Sequence, residues 1–132
     1  MNIDKNKFTR YWGDFIGGME WNVFMTLHYY NGCSVNSNRG IMNSIFSKNK
    51  GNVIKLFYIS EYNSDFKNVH SHSLILLNNL GDFKKRLSKM RSICNIDLVK
   101  ESELCKTEEG IINVGYYVTK FIDRDLDFDL YI

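Results

Sequence analysis

Val69-His70-Ser71-His72-Ser73-Leu74-Ile75-Leu76-Leu77 sets two of the chain's three histidines one residue apart and runs on into unbroken apolar sequence. Alternate side chains of a β-strand share a face, so His70, His72, Leu74 and Leu76 point one way and Ser71 and Ser73 the other. Upstream lies Val53-Ile54-Lys55-Leu56-Phe57-Tyr58-Ile59-Ser60-Glu61-Tyr62, a strand of mixed pattern, and the polar turn Asn63 to Asn68 joins the two. That order predicts an antiparallel hairpin in which Glu61 can sit opposite His70. Two imidazoles and one carboxylate form a mixed nitrogen and oxygen donor set for a metal. Three protein ligands leave positions open on an octahedral cation, which suits Mg²⁺ or Mn²⁺ better than closed structural zinc.

Outward from the hairpin the pattern alternates between helix and strand. Phe8, Tyr11, Trp12, Phe15 and Ile16 recur at helical spacing over residues 5–18, and Gly17-Gly18 ends that run. Residues 21–30 are aromatic and β-branched enough for a strand, closed by Asn31-Gly32. Asn36 or Ser37 can cap a second helix through Ile41, Met42, Ile45 and Phe46, stopping at Lys50-Gly51. After the hairpin, Asn78 to Asp82 leads into a third helix with Phe83, Leu87, Met90 and Ile93 on its apolar side. Residues 95–105 read as a strand, and a last helix carries Ile111, Val114, Val118, Phe121 and Ile122. The tail from Asp127 to Ile132 reads as a short strand or an end. The expectation is one α+β domain over residues 1–132, an antiparallel sheet with helices on one face and the site on the other.

Composition narrows the classes. A chain of 132 residues that is 44% hydrophobic and 14% aromatic is folded rather than disordered. A formal charge of +2 excludes a uniformly basic coat, so an anionic partner must be met locally. Lys84, Lys85, Arg86, Lys89 and Arg91 form the densest candidate patch, and the solvated face of a helix explains them as well. Cys33, Cys94 and Cys105 are odd in number and lack a C-x-x-C pair, which argues against a disulfide framework and against a zinc finger. Neither an N-terminal h-region nor a run of membrane-spanning length is present, so a soluble chain in a reducing cytoplasm, with no membrane partner, is expected.

Downstream stands Tyr117-Val118-Thr119-Lys120, which offers a nucleophile and a cation one helical turn apart. Helical geometry also allows Tyr116, which has Lys120 at i+4. With Glu61, His70 and His72 before it, this arrangement resembles the HUH endonuclease superfamily, specifically the single-tyrosine rolling-circle replication initiators (Rep) of plasmids and small viruses. Residues 24–27, Phe-Met-Thr-Leu, look like that family's first motif, and the motifs follow the family's order from residue 21 to residue 122. Ser71 stands where the family usually carries a bulky apolar residue.

The resemblance implies a Rep-type fold related to the ferredoxin-like folds. It implies metal ligation by His70, His72 and Glu61, catalysis by Tyr117 with Lys120, and Mn²⁺ or Mg²⁺ as cofactor. The expected activity is nicking and rejoining of single-stranded DNA at a replication origin through a 5′-phosphotyrosine, in the cytoplasm of a prokaryotic host and beside its replication machinery. Rejoining needs either a second tyrosine, which a homodimer would supply, or attack by the free 3′-hydroxyl on the existing link. His28 reads as a structural or DNA-contacting residue rather than a ligand, and exposed rings among Tyr29, Tyr30, Tyr58 and Tyr62 as stacking surfaces for bases. A single-tyrosine transposase or relaxase of the same superfamily, and a non-catalytic DNA-binding module or autoregulator, are the other readings.

Overall fold

The computed structural model describes residues 5–100 and 127–132, with side chains from Arg10 onward. The chain runs α1 (Lys5–Gly17), β1 (Val23–Tyr29), α2 (Val35–Lys48), β2 (Val53–Tyr62), β3 (Val69–Leu77), α3 (Leu80–Leu87), a 3₁₀ turn (Ser88–Ser92), β4 (Cys94–Lys100) and β5 (Phe128–Tyr131). The strands form one open sheet in the order β4-β1-β3-β2-β5, and every pairing is antiparallel. This is an α+β fold. Residues 101–126 lie outside the described residues. The expected last helix, Cys105, Tyr116, Tyr117 and Lys120 all fall there.

The hairpin forms as its pattern predicts, with Glu61 paired to His70 and Ile59 to His72. Val23, Met25 and Leu27 of β1, Leu56 and Tyr58 of β2, and Ile75 and Leu77 of β3 build the larger core. Met42 and Ile45 of α2 and Phe83 and Leu87 of α3 cover it.

The expectation that all helices share one face needs correcting. Ile16 and the partly buried Trp12 of α1 pack with Trp21, Phe57, Ile59 and Leu74, on the face that carries the histidines. Leu74 and Leu76 continue β3 on that face and would otherwise meet water, which costs about 1.5–3 kcal/mol for a fully exposed leucine. The Trp21 indole N–H donates to the Ile16 carbonyl at 2.6 Å and fixes the helix over this half of the sheet. Among the described residues, no helix covers the half with His70 and Glu61.

Local differences from the pattern have local causes. Ser34, rather than Asn36 or Ser37, caps α2: its backbone is extended and its Oγ accepts from the Ser37 N–H. Asn79 caps α3 in the same way through the Asp82 N–H. The third helix tightens into a 3₁₀ turn after Leu87, which shifts the angular phase of the residues beyond it. Ile93 therefore falls outside the core and is 49% exposed.

A polar latch holds the edge strand. The Asp127 carboxylate accepts from the buried Tyr58 hydroxyl at 2.5 Å and pairs with Arg39 of α2. The Ser60 N–H donates to the Asp127 carbonyl at 2.7 Å. Replacing Asp127 with alanine leaves the Tyr58 hydroxyl buried without its acceptor. Chemical denaturation is expected to show a loss of about 1–3 kcal/mol, the cost of one unsatisfied buried donor.

Candidate metal centre

His70 and His72 reach the same point because β3 alternates, and Glu61 joins them because the hairpin register sets it across from His70. Glu61 Oε2 lies 3.2 Å from His72 Nε2 and 3.4 Å from His70 Nε2. One donor atom from each residue falls within 4.8 Å of the other two, so the group could hold a metal ion. Neighbouring ligands of an octahedral cation with bonds near 2.1 Å stand about 3 Å apart, close to these spacings.

The outer ring nitrogens are engaged from behind. His70 Nδ1 donates to Asn63 Oδ1 at 2.6 Å. An oxygen acceptor there fixes the proton on Nδ1, so the lone pair of neutral His70 lies on Nε2 and faces the Glu61 carboxylate. Two acceptors meeting in this way call for a proton or a cation between them. His72 Nδ1 lies 3.2 Å from Thr26 Oγ1, in a buried contact on the other side. Such partners set ring tautomer and orientation in metal sites. Rings also brace the pair: Phe24 stacks on His72 at 5.8 Å and the exposed His28 on His70 at 4.8 Å.

Asn63 is itself held by the turn. Its N–H donates to the Asn68 carbonyl at 2.8 Å, and the Asp65 carboxylate accepts the N–H groups of Lys67 and Asn68 at 2.9 Å. Those donors favour the ionised carboxylate and lower the Asp65 pKa to about 2. Gly32, at φ 82°, packs against this loop where a Cβ would lie 2.6 Å from Asn68 Cγ. Only glycine fits there.

Burial acts on the ligands as well. It is the largest influence on His72, followed by the neighbouring His70, and together they hold its pKa at about 4 against an ordinary 6.5. A neutral ring has a lone pair on one of its nitrogens, the form in which histidine binds a metal.

Ser71 is fully buried on the opposite face, under α2. A bulky apolar residue would fill that space, but here a polar layer does. Ser60 pairs with Ser71 across the hairpin, Asn38 donates to Ser60 Oγ at 2.9 Å, and the Tyr29 hydroxyl donates to Asn38 Oδ1 at 2.5 Å. The Ser71 hydroxyl contacts Met42 Sδ at 3.9 Å.

The structure thus brings together His70, His72 and Glu61, while Tyr117 and Lys120 lie outside the described residues. Tyr58 is core and Tyr29 half-buried, whereas Tyr30 and Tyr62 are exposed. The basic patch of residues 84–91 sits on α3 and the 3₁₀ turn, across the sheet from the histidines. Asn63 and Thr26 support the candidate ligands and are missed by periodicity; the one sequence signal of Asn63 is its place two residues after Glu61, at the start of a turn.

Two outcomes are expected. Calorimetric titration with Mn²⁺ should show one ion bound. His70→Ala, His72→Ala or Glu61→Ala should remove that binding, and Asn63→Ala should weaken it by about 10–100-fold. In the metal-free protein, the unfolded chain takes up a proton at His72 near pH 6.5 and the folded chain only near 4. The unfolded state then holds more protons across that window, so stability falls as pH drops from 6.5 to 4. Denaturation midpoints should show this slope, flattened by His72→Gln.

Set against protein-family models, curated proteins and solved structures, the chain finds no match, so what this centre does rests on its own atoms.

Proposed function

We propose that this chain is a metal-dependent nickase and strand transferase for single-stranded DNA of the HUH kind, acting at a replication origin to start rolling-circle replication. The observation that carries the reading is the convergence of His70 Nε2, His72 Nε2 and Glu61 Oε2 on one sheet face, with the outer nitrogens of both rings engaged by Asn63 and Thr26. The donor set fits Mn²⁺ or Mg²⁺, because two imidazoles and one carboxylate leave coordination positions open for a phosphate oxygen. A divalent cation held there would withdraw charge from a non-bridging oxygen and orient the phosphate for in-line attack.

The remaining work falls to the chain. Tyr117 supplies the phenol oxygen as nucleophile, an assignment that rests on its spacing to Lys120 and the family resemblance. Its oxygen forms a bond to phosphorus while the bond from phosphorus to the 3′-oxygen breaks. The phenol proton is lost and the departing 3′-oxygen gains one, which leaves a free 3′-hydroxyl for a host polymerase to extend. Lys120 neutralises charge on the phosphate. Attack of a 3′-hydroxyl on the phosphotyrosine reverses the step and rejoins strands without ATP. Single strands are the substrate because duplex pairing would hold the scissile phosphate away from a site set into a sheet face. Exposed Tyr62 and Phe66, at the turn end of the hairpin, offer rings on which bases stack.

The test is incubation with single-stranded oligonucleotides and Mn²⁺, followed by denaturing electrophoresis. A covalent adduct is expected. It should vanish in Tyr117→Phe and persist in Tyr116→Phe. His70→Ala or His72→Ala should lower cleavage by about two to three orders of magnitude, the several kcal/mol that Lewis-acid stabilisation supplies, while DNA binding survives. Full cleavage by the double histidine variant would refute the metal role. A mobility shift with no adduct under any metal would leave a DNA-binding module in place of the enzyme.

A further inference from the structure

Across the sheet from the histidines, the C-terminal half of α2 and the α3–3₁₀ corner frame a cavity of about 520 Å³. Its floor is apolar, built from Ile41, Ile45, Leu87, Met90 and Ile93, the last 49% exposed. Four exposed cations, Lys48, Lys85, Arg86 and Lys89, stand among its lining residues, and among the described residues no carboxylate does. Lysine and arginine in the last turns of α2 and α3 complement the helix dipoles, which accounts for positive charge at helix ends but not for its closing around Ile93, an exposed apolar side chain.

We propose that this groove docks a short acidic peptide segment of a partner protein, one that carries apolar anchor residues between its carboxylates. The cationic rim selects the carboxylates, and the floor takes the anchors in a volume typical of small binding pockets. A nucleic-acid backbone fits less well, because phosphodiesters bring acceptors only and no apolar groups for the floor. The groove lies on the opposite side of the sheet from the metal centre, so its occupancy stands or falls independently of the nicking activity.

The experiment is fluorescence anisotropy with a short fluorescein-labelled peptide of aspartate, leucine and phenylalanine. A labelled all-aspartate peptide, a labelled duplex oligonucleotide and vesicles of phosphatidylglycerol serve as competing probes. Saturable binding of the mixed peptide is expected, weakened by salt and by about tenfold or more in Lys85→Glu/Lys89→Glu. Ile93→Asp should weaken it to a similar degree. Both substitutions fall on exposed positions, and far-ultraviolet circular dichroism checks that the fold is kept. All-aspartate peptide binding as tightly as the mixed one overturns the apolar part of the proposal. Unchanged affinity in both variants, no saturable binding, or tighter groove-dependent binding of the duplex or the vesicles overturns the proposal itself.

Discussion

β3 is paired on both sides, to β1 through residues 23–27 and to β2 along most of its length. A strand held in this way cannot slip by one residue without exchanging its two faces. Such a slip would turn His70 and His72 into the core beneath Met42 and Ile45, and would bring Ser71 and Ser73 onto the open face. The cost would fall on both sides of the sheet at once. Metal-ligand geometry, α1 packing and the polar layer under α2 all depend on that single register.

That dependence explains which parts of the chain can be read without coordinates. The hairpin is readable because period-two alternation and a short polar turn are local signals, and they fix Glu61 against His70 before any other contact is known. The side of the sheet that α1 takes is not local. Its apolar stripe fits either face, and the choice is decided by Leu74 and Leu76, far along the chain, which need a cover that α2 and α3 cannot provide. The exposure of Ile93 is hidden for a similar reason, since a helical pattern does not announce where the helix will tighten. At the site, the ligand types are visible as residue types at a spacing. Asn63 and Thr26 are not, because any turn asparagine or strand threonine looks alike until the fold aims it at a ring nitrogen.

Ser71 shows how a small polar residue is accommodated at the centre of the sheet. With a small hydroxyl at the centre of the sheet, Asn38, Ser60 and Tyr29 close the space as a connected, buried hydrogen-bond chain. Networks of this kind are worth keeping only when their members are satisfied. Ser73, two residues further along β3, has an unpartnered Oγ among the described residues and takes no part in that chain of bonds. Behind the histidines the sheet is therefore stiffened by directional bonds where shape-filling side chains would otherwise act.

The three ligands also share one short stretch of chain, since Glu61 and His72 are eleven positions apart, whereas Thr26 lies 46 positions from the ring it supports. Closing so small a loop costs little entropy, so the same cation can be chelated by the hairpin segment before the sheet exists. An ion that binds the unfolded chain as well as the folded one raises the melting temperature by less than its affinity for the finished protein implies. If a chelated hairpin formed first, it would start the sheet from its centre, and the remote strands would close around an ion already in place.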